Sequence, residues 1–122
     1  SYEKEVVPLI AKDDRILFLG WKTGDELRKY LCAGDVYVQP GTQSATMQNA
    51  LCCGCAVILA DYPSHRYLLG DKAIYADDKN SLYREMNKMI KFPETMHKIQ
   101  DECYSIAKEK LDYYKLARRI YY

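Results

Sequence analysis

Residues 35–61 read DVYVQPGTQSATMQNALCCGCAVILAD, and the division of this stretch into elements decides the fold. DVYVQP, 35–40, is a short apolar run that Pro40 stops. AVILAD, 56–61, is a second apolar run without polar alternation, the pattern of a strand covered on both faces. Between them, residues from about Ser44 to Cys53 predict a helix, with Gly54 closing it as a C-cap. A strand, a helix and a strand in that order make a crossover unit with parallel strands.

Working outward, the same alternation continues. RILFLG, 15–20, lies between Asp13-Asp14 and Gly20 and reads as a buried strand. Thr23 or Asp25 then caps a helix, supported by Glu26, whose apolar positions are Leu27, Tyr30 and Leu31; it ends near Ala33-Gly34. Upstream, Val6, Val7, Leu9 and Ile10 form one apolar face, and Pro8 suits the first turn of a helix that starts beside it. Downstream, Pro63-Ser64 opens a short helix through Leu69, Lys72–Tyr75 is a fourth strand, and 77–79 turn the chain. Helices follow from Ser81-Leu82 to about Lys91, from Pro93 to about Lys108, and from Asp112 onward. The expected fold is α/β: one three-layer, Rossmann-like domain over residues 1–122, with a four-stranded parallel sheet flanked by helices.

Composition narrows the function. The chain has 122 residues, 48% of them hydrophobic, enough for a packed core. Its 18 basic and 17 acidic residues leave a net charge of +1 without a block of one sign, so no nucleic-acid footprint is present. No apolar run approaches the roughly 20 residues that span a bilayer, and no signal-peptide pattern opens the chain. Twelve tyrosines fall mostly at helical periods and read as packing or rim residues. The five cysteines, 32, 52, 53, 55 and 103, are odd in number and unpaired in spacing, which suits free thiols in a reducing cytoplasm.

Cys52, Cys53 and Cys55 do not make a metal site on paper. Structural zinc takes four ligands, usually from two separated pairs, and no second pair exists. The Cys52-x-x-Cys55 spacing matches a redox motif, but at the end of a helix rather than at its activating start. Small apolar packing is the reading the spacing favours.

In an open parallel sheet, ligands bind beyond the carboxyl ends of the strands. Four loops meet there: 20–23, 40–44, 61–65 and 76–79. Gly41 permits close backbone approach, Thr42, Gln43, Ser44 and Thr46 supply polar groups, and the following helix start offers free N–H groups, together a seat for a phosphate. The plainer reading, stronger for this loop alone, is that Thr42 and Ser44 cap the helix. His65 is placed either to touch a ligand or simply in the first turn behind an N-cap Ser64, the second being preferred. His97 falls away from that edge, Asp61 ends a strand there, and Asp35 stands at the opposite end.

The ordered series Phe18-Leu19-Gly20, Glu26-Leu27, Gly34-Asp35-Val36, Pro40-Gly41 and Ala50-Leu51-Cys52-Cys53-Gly54-Cys55-Ala56-Val57-Ile58 resembles the carboxy-terminal, donor-binding domain of GT-B glycosyltransferases. The likeness is to the large retaining family four, in a divergent subset with Pro-Gly-Thr-x-Ser in the loop. The tail LDYYKLARRIY, 111–121, looks like that domain's closing helix, so the resemblance spans nearly the whole chain. It implies transfer of a hexose from a nucleoside diphosphate sugar to an acceptor hydroxyl, with that sugar nucleotide as substrate and no separate cofactor or metal. It places the base near Gly20, Trp21 and Lys22, the sugar and phosphates against Gly41, Thr42, Gln43, Ser44 and Thr46, and the ribose at Asn49, with Gln48 as its neighbour. It implies polysaccharide or glycolipid assembly by a cytoplasmic enzyme associated peripherally with a membrane. It leaves the catalytic residues unassigned.

The sequence departs from that family in two respects. The pair of glutamates around Gly-Phe-Gly is absent, and Asn49, a neutral amide, stands where a carboxylate holds the ribose. The basic pair that neutralises the diphosphate has no counterpart; Lys22 and Arg66 are the residues left for that role. On the resemblance, the chain is expected to be a piece of a two-domain enzyme whose amino-terminal acceptor domain lies outside it, inactive by itself. The competing class is a non-enzymatic module, either an interaction domain or a receiver-like signalling domain phosphorylated at Asp61. Asp13-Asp14 precede their run rather than follow it, which weighs against the receiver.

Overall fold

The computed structural model describes residues 2–121. Three parallel strands, β1 (Val36–Gln39), β2 (Ala56–Leu59) and β3 (Ile74–Tyr75), pair in the order β1-β2-β3. The register sets Val36 beside Ala56, Gln39 beside Leu59 and Ile58 beside Ile74. Around them run seven helices: α1 (Tyr2–Ala11), α2 (Gly24–Ala33), α3 (Ala45–Cys52), α4 (Pro63–Leu69), α5 (Lys79–Lys91), α6 (Pro93–Lys110) and α7 (Tyr113–Tyr121). A 3-10 turn, Gly70–Lys72, leads into β3. The result is an α/β sheet flanked by helices, a partial version of the Rossmann-like arrangement.

β2 is the centre of the core, and its alternation separates two apolar faces. Val57 and Leu59 pack with Met47 and Leu51 of α3, Leu68 and Leu69 of α4, and Cys103 and Ala107 of α6. Ala56 and Ile58 turn the other way, onto Met89 of α5, with Val36, Val38, Met96 and Ile99 around them. All four β2 residues are buried, which is why this strand reads as an unbroken apolar run. A third small cluster, Leu31, Ala50 and Cys55, joins α2 to α3.

Three expectations are corrected. The run 15–20 is not a strand, so the sheet has three strands and not four. The Asp13 carboxylate accepts from the Arg15 backbone N–H at 3.0 Å and from its guanidinium at 2.9 and 2.7 Å, and Ile16 N–H donates to the Asp13 carbonyl. That turn consumes the start of the run, and Gly20, at φ +70°, ends it. The rest of the run pairs with no strand, and Leu17 and Phe18 are each 77% exposed.

Pro8 lies inside α1 rather than in its first turn, a position tolerated because this helix is largely exposed. Ser64 is not a cap: Tyr62 is the N-cap of α4 and Pro63 occupies the first turn. Smaller shifts follow local chemistry. Cys53 is the C-cap of α3, and Gly54, at φ +86°, is the next residue, adopting the left-handed turn that glycine accepts without strain. α5 starts at Lys79, two residues early, because Asp78 caps it reciprocally with Ser81.

Candidate functional site

The carboxyl end of β1 is organised by Gln39. Its side-chain oxygen accepts from the Tyr37 hydroxyl at 2.6 Å and from the Ser44 hydroxyl at 2.8 Å, while its amide donates to the Thr42 carbonyl. Ser44 is the N-cap of α3, its oxygen accepting from Met47 N–H at 3.1 Å. The loop 40–44 is therefore drawn tight between a strand end and a helix start. Burial pushes the Tyr37 phenol above its usual range, against the lowering effect of Ser44. Ser44 spends its hydroxyl on this relay, as the plainer reading of the loop expects. The N–H groups of Ala45 and Thr46 have no partner among the described residues, leaving the positive end of α3 open.

The loop 20–23 approaches the start of α3. Gly20, Trp21, Lys22 and Thr23 share with Tyr30 and Thr46 a groove of about 460 Å³. Trp21 is 92% exposed at its rim. Lys22 pairs with Glu26 at 3.2 Å, one helical turn away. Two separate sequence segments, 20–22 and Thr46, are thus brought together. Asn49 is not in that groove. It lines a neighbouring one of about 470 Å³ with Cys32, Cys52 and Cys53, and the two share only Gly24 and Leu27. Gly41, Thr42 and Gln43 line neither. A Cβ added at Gly41 would meet open space, so no close backbone approach requires this glycine.

At the ends of β2 and β3 the charged groups satisfy one another. Arg66 grips Asp61 with two bonds, 2.7 and 2.8 Å, reaches Asp71 at 3.4 Å, and stacks on the Tyr75 ring at 3.8 Å. The hydrogen bonds from Arg66 hold the Asp61 carboxyl below its ordinary range, and the same pair raises the Arg66 guanidinium. Asp61 N–H donates to Asp77 at 2.9 Å, tying the two loops. Arg66 is paired with two carboxylates and stacked on Tyr75, so its charge is already offset, though its side chain stays partly exposed.

His65 is fully buried. Its Nδ1 donates to the Ala60 carbonyl at 2.8 Å, and its Nε2 is buried without a partner among the described residues. Tyr62 meets the ring edge-on at 5.8 Å. His97 is exposed and donates to Gln100 at 2.9 Å. Sequence reasoning missed Gln39, whose role comes from its position beside Ser44 in space, and a lone glutamine before a proline carries no signal of that.

Of the three cysteines read as packing, Cys55 is buried and Cys53 half-buried, but Cys52 is exposed at the helix end, which corrects that reading for it; Cys103 is also buried. Among the described residues no three His, Cys, Asp or Glu side chains gather as metal ligands. No helix there is long and apolar enough to cross a membrane. An apolar groove of about 430 Å³ lies at the opposite, amino end of β1, lined by Val36, Val38, Met86, Ile90 and Met96 with Asp35 as its one charged residue, and it offers a phosphate nothing. No protein-family model, curated protein or solved structure matches the chain.

Proposed function

We propose that this chain is the donor-binding domain of a retaining glycosyltransferase, moving a hexose from a nucleoside diphosphate sugar to an acceptor hydroxyl. The observation that carries the reading is the groove in which Trp21 and Lys22 stand beside Thr46 at the open N-terminus of α3. An aromatic face for a base, a cation and a helix N-terminus with a free N–H at Thr46 are what a nucleoside diphosphate needs. The resemblance in sequence order supports the same positions. Lys22 would exchange Glu26 for a phosphate; Lys22 is half-buried and Glu26 exposed, so the pair opens on its Glu26 side. In such a reaction the departing phosphate takes the acceptor proton, so the protein's part is to position the substrates and offset charge.

Asn49 is the weak point of the ribose contact, since it faces the neighbouring groove. The receiver-like alternative draws less support: Asp61 is held by Arg66 on both oxygens, and an acceptor of phosphate needs an open carboxylate. The chain has a single tryptophan, so its fluorescence reports on this groove alone. Titration with UDP, GDP and ADP, and with their sugars, is expected to quench Trp21 with saturation. An unchanged spectrum at millimolar nucleotide would remove the proposal.

A further inference from the structure

Four of the five cysteines crowd the corner where the carboxyl ends of α2 and α3 meet. Cys32 of α2 lines one groove with Cys52 and Cys53. Cys55, behind them, donates its thiol to the Leu31 carbonyl at 3.1 Å and is already spent on packing. Cys32 and Cys53 line the same groove from different elements, close enough for the Cys32 thiol to act on the Cys53 thiol. Cys32 is exposed, and Cys53 is half-buried at the edge of the Leu31–Ala50–Cys55 cluster. A shared metal ion does not account for them, because no three ligands converge among the described residues. What remains is the chemistry of two facing thiols on different elements, one of them open to solvent.

We propose that Cys32 and Cys53 are a modification site: a reversible disulfide, formed by exchange with a small-molecule disulfide such as oxidised glutathione, that ties α2 to α3. The exposed Cys32, as its thiolate, attacks one sulfur of the oxidant. The oxidant's S–S bond breaks, one reduced thiol leaves, and Cys32 carries the other half as a mixed disulfide. Cys53 then gives up its proton and attacks the Cys32 sulfur, releasing the second thiol. Two cysteine thiols are oxidised and one small disulfide is reduced to two thiols. Burial, then the hydrogen bond with Cys32 and the neighbouring thiols, push Cys53 up to about 11. Cys53 is therefore the resolving partner and not the attacker, and closure speeds up as pH rises toward that value.

The bond would fix the two helices whose first turns, through Gly24 and Thr46, border the Trp21 groove. The inference does not depend on what that groove binds. The test uses the whole chain, incubated with oxidised glutathione near pH 8 and digested without reduction before aspartate residues. Cleavage there separates Cys32, in 25–34, from Cys52, Cys53 and Cys55, in 35–60. The expected result is a chain lighter by two hydrogens, with those two peptides joined, and with the link retained in Cys52→Ser but lost in Cys53→Ser and Cys32→Ser. Far-ultraviolet dichroism of each variant checks that it is folded. The oxidised chain is also expected to unfold at higher urea than the reduced one, a shift that dithiothreitol reverses and Cys32→Ser lacks. A stable glutathione adduct on Cys32 that never closes, a link that survives in Cys53→Ser, or no change in mass would each overturn the proposal.

Discussion

Gln39 and Ser44 are bonded across the Pro40–Gln43 loop, the Ser44 hydroxyl donating to the Gln39 side-chain oxygen at 2.8 Å. The same serine oxygen caps α3 through Met47 N–H, so one relay joins the end of β1 to the start of the helix that faces the groove. Ser44→Ala is expected to lower stability by about 1 kcal/mol, the usual value of a lost N-cap. Gln39→Leu removes three hydrogen bonds at once and is expected to cost more, about 1–3 kcal/mol. Urea unfolding of both variants checks the order.

The ion pair of Asp61 with Arg66 gives a pH dependence with a definite sign. The folded-state pKa of Asp61 is lowered, first by its hydrogen bonds from Arg66. Its contribution is therefore present above the unfolded value of about 3.9 and is lost as pH falls through the lower folded value. Asp78, lowered by its bonds from Ser81, acts in the same direction. The stability difference between the wild type and Asp61→Asn should be constant from pH 5 to 7 and shrink below pH 4. A difference that grows on acidification would contradict the geometry.

His65→Leu removes one of two hydrogen bonds to the Ala60 carbonyl, which receives Nδ1–H at 2.8 Å and keeps the Tyr62 N–H at 2.9 Å. It also removes a buried ring nitrogen, Nε2, that has no partner among the described residues. The first effect destabilises and the second relieves, so the expected net loss is about 1–2 kcal/mol rather than the larger cost of breaking a fully satisfied pair. Thermal unfolding of the variant measures it.

Leu51 and Leu17 separate the observed fold from the four-stranded sheet that the sequence suggests. Leu51 is fully buried and Leu17 is 77% exposed. Leu51→Ala is expected to cost about 2–5 kcal/mol, whereas Leu17→Ala should stay within about 0.5 kcal/mol. A core-sized loss at Leu17 would restore residues 15–20 to a buried strand.

Where the sequence was legible, one local rule and the tertiary context agreed. The unbroken apolar run Ala56–Leu59 became the central strand, and Pro93 did open its helix. RILFLG misled because periodicity cannot see a missing partner: the run is apolar, but it lies between the Asp13–Arg15 turn and Gly20 and pairs with no strand. Ser64 misled because Pro63, already suited to a first helical turn, moved the cap to Tyr62. The joining of Trp21 to Thr46 followed from the rule that ligands lie beyond strand ends, even though one of the strands is absent. The diversion of Asn49 to the cysteine groove, and the pairing of Arg66, depend on side-chain directions and loop crossings that spacing does not carry.

The central claim is that the Trp21–Thr46 groove takes a nucleoside diphosphate sugar, and residue-resolved amide shifts during titration with UDP, GDP and ADP sugars test it most directly. The predicted result is saturable shifts confined to Gly20, Trp21, Lys22, Ala45 and Thr46, reduced at least tenfold in affinity by Trp21→Ala. No shift at millimolar sugar nucleotide, or shifts centred on Asp61 in response to acetyl phosphate and magnesium, would contradict it.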